Sequence, residues 1–309
     1  MTTSLSDSFV FEQTLLGADG CPRVFYKGAP AGLTAFRINP HSGLVHVAPN
    51  ERQASQFQGD GAIYRVVVSA GNVFDARDPS SRAALVASLS RAQILQQLKE
   101  HCHLGTAIEV NGAEDVLHTF FIGLEDALYQ SMELPCVVDW IRAQDYEGFW
   151  VHEDDGDTAP NLALFDAGKI LHLQGPPNLD RAALDPRIGR MADLDRLRLS
   201  PRANDLEAQL RWSSERAQLA KQLALEVAAA ENFSGLSLPH GSGHVGVHPS
   251  TKSAGAWQLT HFDENWVPMG DTGPKPVLQA LKELFDESRP ERLLSPAPAE
   301  MAGEFPGLG

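Results

Sequence analysis

Cysteine is scarce in this chain: Cys21, Cys102 and Cys136 are the only three in 309 residues, an odd number and widely spaced. Such usage suits a reduced, cytoplasmic protein and excludes a disulfide framework or a cysteine-rich zinc cluster as the organising element. No apolar run reaches the roughly 20 residues that a membrane helix needs. The opening MTTSLSDSFVFEQ has no basic stretch followed by an apolar one, so no secretory signal is expected. Positive charge is also short, with 25 Lys and Arg against 40 Asp and Glu and a net charge of −15. That balance argues against general affinity for nucleic-acid backbones or anionic membranes and leaves room for a local basic patch. There is no internal repeat. Gly241-Ser242-Gly243 is followed by no lysine at the spacing of a phosphate loop.

What the chain does have is a core: 43% of it is hydrophobic, and its length allows one large domain or two ordinary ones. Strands are predicted at Cys21–Gly28, at Leu44–Ala48 and, most clearly, at Ala62–Ala70, whose β-branched run suggests burial on both faces. Asn50–Phe57 suits one or two helical turns. Asp78-Pro79-Ser80 opens a helical region carrying Ala84, Leu85, Leu89, Ile94, Leu95 and Leu98, which Gly105 would end. A second helix follows Gly112 and a third runs from Pro135 to Ala143. Gly175-Pro176-Pro177 is a plausible boundary. Beyond it, helical patterns cover Arg187–Leu199 and Ala203–Glu231, and 233–253 reads as irregular. Ala256–His261, Trp266–Met269 and Pro276–Glu287 form a strand–strand–helix module, and the last fifteen residues read as a tail. The predicted division is 1–175, a helical linker over 176–235, and a C-terminal α+β module over 236–309.

The stretch from Asp145 to Ile170 organises the chemistry. Tyr146, Phe149, Trp150 and Val151 favour one strand, and Leu162–Phe165 another. Between them stand Glu153, Asp154, Asp155 and Asp157, four carboxylates in five residues. They are either a solvated hairpin tip or catalytic acids presented at a strand end. His240, His244 and His248 recur at intervals of four in a glycine-rich segment. They read as a flexible linker by default and as a metal site in the alternative. In His101-Cys102-His103 the two histidines would not share a helix face, so zinc is not expected there.

The order of the first half resembles the ADP-ribosyltransferase family, in particular its short bacterial and phage branches. The matching positions are Tyr26-Lys27-Gly28, His46-Val47-Ala48 with Ala54 six residues on, Tyr146-Glu147-Gly148, and Leu164-Phe165-Asp166 with Lys169-Ile170. They span about residues 20–172. The resemblance implies an α+β fold with a split mixed sheet and NAD as the substrate. It also implies transfer of ADP-ribose to a macromolecular acceptor, a protein above all, by a toxin, effector or phage–host conflict protein. Tyr26, Lys27, Gly28 and His46 would then contact the NAD, with Lys27 on a ribose hydroxyl or phosphate and His46 against the nicotinamide.

The sequence departs from the family at four places. Lys27 replaces histidine or arginine and lacks arginine's fork. His46 replaces an aromatic, and Ala48 replaces a hydroxyl residue. Asn161 falls where the family has its glutamate. Asp154 and Asp155, then Glu153, are the expected substitutes for that acid. A carboxylate near the ribose would stabilise oxocarbenium character as the nicotinamide leaves. A degenerate fold that binds a protein or nucleotide without turnover is the first rival, and an NAD glycohydrolase the second.

Overall fold

The structure, a computed structural model, describes residues 8–33, 35–101, 110–153, 159–173, 177–199, 205–240 and 242–287. It is a mixed α+β chain that forms two compact units, one from Met1–Leu15 and Arg23–Leu173, the other from Leu16–Pro22 and Gln174–Gly309. Among the described residues, no helix is long and apolar enough to cross a membrane.

The first unit contains two small sheets. Strands β1 (Phe25–Ala29), β3 (Ala62–Val68) and β7 (Ile170–His172) form a three-stranded antiparallel sheet in the order β1-β3-β7. Strands β2 (Val45–Val47), β6 (Asn161–Leu164), β5 (Gly148–Val151) and β4 (Val73–Phe74) form a four-stranded sheet in the order β2-β6-β5-β4. The second sheet is mixed, because β4 runs parallel to β5 while the other pairs are antiparallel. The sheets join where Tyr26 and Ala48 exchange two backbone hydrogen bonds of 2.8 Å.

Side chains alternate across a strand, so each sheet has two distinct faces. One face of β1 and β3 carries Phe25, Tyr64, Val66 and Val68. These pack with Val45, Val47, Leu162, Leu164 and Ile170 into one buried cluster. The opposite face of the second sheet, with Phe149, Val151 and Ala163, packs on the helices of the same unit. The apolar stripes of those helices complete this second cluster through Leu85, Ile94, Leu117, Phe120, Leu124, Met132, Val137 and Ile141.

The helices are α1 (Glu51–Ser55), α2 (Pro79–Ser88), α3 (Arg91–His101), α4 (Ala113–Glu125), α5 (Tyr129–Met132) and α6 (Pro135–Ala143). Asn50 caps α1 by accepting from the Gln53 N–H at 2.9 Å, and Asp78 caps α2 by accepting from the Ser81 N–H at 2.8 Å. The single helical region predicted after Asp78 is two helices, because Leu89 turns extended (φ −83°, ψ 132°) and ends the first. The sequence reading missed β4 and β7, which are two and three residues long.

In the second unit, α7 (Arg181–Leu199) and α8 (Leu206–Ala228) pack against each other. Strands β8 (Leu236–His240), β9 (Gly243–Pro249), β10 (Trp257–Phe262) and β11 (Pro268–Asp271) make an antiparallel meander. Helix α9 (Val277–Glu287) lies against this sheet and against α8. Arg216 ties the unit together: its guanidinium bonds Asp195 at 2.7 Å, Asp286 at 3.1 Å and the Phe285 carbonyl at 3.0 Å.

Two expectations change here. The helices predicted as a linker belong to the packed second unit, with Leu184, Ile188, Met191, Leu219, Leu223 and Val227 all buried. The segment predicted as irregular is the β8–β9 hairpin. Its glycines and histidines obscured the alternation that buries Leu236, Leu238, Val245 and Val247. The boundary residues Gly175 and Pro176 lie outside the described residues, as do Cys102, His103, Gly105, Gly241 and the tail.

Candidate functional site

The resembling positions are held by specific contacts. Tyr26 pairs with Ala48 through the backbone. The next strand positions continue this row, since Ala48 follows Val47 and Asn161 precedes Leu162 in the Val47↔Leu162 pair. Asn161 in turn pairs with Val151. The first-strand, second-strand and last-strand motifs therefore meet at the seam between the sheets.

Gly28 is needed there for packing. A Cβ at that position would stand 2.4 Å from the Ala54 carbonyl oxygen and 2.8 Å from the Gln58 nitrogen. Both are backbone atoms that cannot step aside. The bare flank of Gly28, expected to admit NAD, is filled by the chain's own α1 segment. Ala54, whose carbonyl makes this contact, is itself buried.

Tyr146-Glu147-Gly148 and Lys169 also form one assembly. The Lys169 ammonium donates to Glu147 Oε1 at 2.6 Å, and the Gly71 N–H donates to Glu147 Oε2 at 2.6 Å. Burial alone would raise the Glu147 pKa. The bonds from Lys169 and Gly71, with the lysine's charge, outweigh it and hold the carboxyl below its ordinary value. Gly148 is fixed by the neighbouring strand, because a Cβ would stand 2.2 Å from the Ala163 carbonyl oxygen. Asp166 accepts from the Gly168 N–H at 2.8 Å and shapes the turn that leads into Lys169.

The predicted site residues divide between two faces. Lys27 shares the face of Phe25 and stands opposite Tyr64, facing the cluster between the sheets. It is half-buried, makes no ion pair among the described residues, and burial pushes its ammonium below the ordinary lysine value. His46 lies on the other face of its strand from Val45 and Val47, opposite Ala163. Its Nε2 lies 2.8 Å from Glu133 Oε1. That is ion-pair range, but the contact is off the direction of a hydrogen bond. The structure therefore does not bring His46 and Lys27 together.

Of the acidic turn, Asp154, Asp155 and Asp157 lie outside the described residues. Glu153 does not. Asn161, only 2% exposed, donates from Nδ2 to Glu153 Oε1 at 2.9 Å. Among the described residues, its own Oδ1 is buried without a hydrogen-bond partner. Buried Gln53 of α1 reaches the far end of the turn, with Nε2 3.4 Å from the Ala159 carbonyl.

Sequence reasoning missed Arg23 and Trp150. The Arg23 guanidinium lies 5.0 Å over the Phe25 ring and 4.9 Å over Trp150, and those two rings stack at 6.1 Å. The aromatic density of Tyr146–Val151 was a signal for Trp150; nothing local marked Arg23.

The remaining candidates do not converge on this seam. An open groove of 460 Å³ is lined by Val86, Leu89, Arg91, Glu114, His118 and Phe121, none of them a predicted site residue. The histidines of the second unit each have a separate neighbour. His240 meets the His261 ring, His244 stacks on Trp266, and His248 Nε2 bonds Thr260 at 2.8 Å. Among the described residues, no group of three or more His, Cys, Asp or Glu side chains is arranged to hold a metal ion. Trp257 is buried and stacks on Phe233, whereas Trp266 is exposed in part and held at φ 63°.

Compared with models of known protein families, with curated proteins and with solved structures, the chain matches none.

Proposed function

We propose that the first unit is an ADP-ribosyltransferase-like domain that takes NAD as substrate and transfers ADP-ribose to a macromolecule. The observation that carries this reading is the Asn161–Glu153 hydrogen bond. Where the resembling family has an acid, this chain has a buried amide, and that amide holds a carboxylate supplied by the adjoining turn. Glu153 takes the place of Asp154 and Asp155 as the favoured acid, and Asn161 becomes its positioning residue. A carboxylate fixed in this way can stabilise positive charge on the ribose as nicotinamide departs. Half-buried Lys27 supplies a cation for the nucleotide.

Labelled NAD incubated with the protein and a cell lysate tests the reading. Labelled macromolecule supports a transferase, and free ADP-ribose alone identifies a glycohydrolase. Glu153→Gln should lower turnover by on the order of 10²–10³ with little change in NAD affinity, because the interaction strengthens in the transition state. Asn161→Ala should lower turnover in the same direction by a smaller factor. Unchanged turnover in Glu153→Gln would remove Glu153 from the chemistry.

One specific observation favours a second reading, a degenerate domain that binds nucleotide or protein without turnover. Asn161 pairs with Val151 and shares the strand face of Ala163 and His46, whereas Lys27 faces the cluster of Phe25 and Tyr64, so the proposed acid and the proposed cation start from opposite faces. NAD binding with neither labelled product would support this alternative.

A further inference from the structure

Half-buried cations in this protein generally have an acidic partner: Lys169 has Glu147, Arg187 has Glu226, Arg216 has Asp195 and Lys275 has Glu283. Arg23 and Lys27 do not, among the described residues. Arg23 stands two residues before Phe25, just ahead of β1, and Lys27 two residues after it within the strand. Positions four residues apart are at most about 13 Å apart in extended chain, and two long side chains can close on one ligand across that distance. The guanidinium of Arg23 rests over Phe25 and Trp150, and among the described residues its N–H groups have no protein acceptor. Arg77 lies close enough to disfavour the Arg23 charge. Its own charge is neutralised by Asp75 through bonds of 2.8 and 2.6 Å. Burial, and then Arg77, lower the Arg23 pKa, and burial lowers that of Lys27. A bound anion would relieve both penalties. This positive spot lies in a chain of net charge −15.

We propose that Arg23 is the second arm of a diphosphate-binding site whose first arm is Lys27, with Trp150 and Phe25 as the shelf that aims its N–H fork. An arginine held over aromatic rings is pre-organised for bidentate phosphate contact, which lysine cannot make. The ligand class is a nucleoside diphosphate with its terminal phosphate esterified, as in ADP-ribose or NAD. The choice of dinucleotide rests on the function proposed above; the anion site itself does not.

Calorimetric titration of the full chain with ADP-ribose and with adenosine tests this. Arg23→Gln should weaken ADP-ribose binding by at least about tenfold and leave adenosine binding unchanged, as expected for loss of a charge-assisted bond. Arg23→Lys should retain part of the ADP-ribose affinity. Wild-type affinity in Arg23→Gln would overturn the proposal, and a lowered melting temperature with that affinity intact would assign Arg23 to stacking alone. Failure of the wild-type protein to bind ADP-ribose would overturn it as well. Arg23-dependent ADP-ribose binding without any NAD turnover would instead overturn the transferase reading and leave the anion site standing.

Discussion

Removing the Glu147 carboxylate should destabilise the first unit by about 2 kcal/mol. In Glu147→Ala two contacts go at once, the 2.6 Å bond from Lys169 and the 2.6 Å bond from the Gly71 N–H. Lys169, whose side chain is only 14% exposed, is left half-buried with its charge unmatched. Hydrogen bonds to charged groups contribute about 1.5–3 kcal/mol, while fully exposed pairs contribute about 0–1. A carboxylate 26% exposed falls between these limits. For a domain of this size about 2 kcal/mol lowers the melting temperature by about 4–8 °C. Glu147→Gln keeps an acceptor for Gly71 and should lose less. The pH dependence has a definite sign. The folded-state pKa of Glu147 lies below its ordinary 4.5. Its stabilisation is therefore present above that value and lost as pH falls through the folded pKa. Scanning calorimetry should show the deficit of Glu147→Gln fully developed at neutral pH and shrinking in acid. A deficit in Glu147→Ala below about 0.5 kcal/mol at neutral pH would mean that water already screens the pair, as for a surface ion pair. A Glu147→Gln deficit constant into acid would mean that charge is not its source.

Two further outcomes are expected. Gly28→Ala should cost about 1–3 kcal/mol, because the new methyl meets backbone atoms of α1, and urea unfolding followed by tryptophan emission will read it. Lys27→Ala should weaken NAD binding by on the order of 1–3 kcal/mol in calorimetry with the fold intact; unchanged affinity would remove Lys27 from the site.

How much could be read from the sequence differed by element. Ala62–Val68 was legible because consecutive β-branched residues have few other uses. The Pro135–Ala143 helix was legible because Pro135 opens it and its apolar residues keep one face. The β8–β9 hairpin was not, since His244, Gly246 and His248 occupy every second position and only Val245 and Val247 mark the buried side. At the candidate site the motif positions were legible and their roles were not. Glu147, Gly148, Gly28 and Ala54 were noticed as a signature, and the structure shows each satisfying a packing or hydrogen-bonding demand. Arg23 was invisible because its significance depends on Trp150, which is distant in sequence. The burial of Asn161 and its bond to Glu153 depend on how the acidic turn folds back, and no local pattern encodes that.

The seam at Tyr26 and Ala48 has a consequence for any ligand of Lys27. Among the described residues, strands of the two sheets exchange backbone hydrogen bonds only at that pair. A full ladder would fix the angle between the sheets through the backbone; with a single rung, that angle rests on the side chains packed between them. The spacing of the sheets around Lys27 is therefore set by the side chains packed between them, Val47 and Leu162 among them, with Trp150 against that cluster. Changing the volume of Val47 or Leu162 should shift that spacing and cost core packing at the same time.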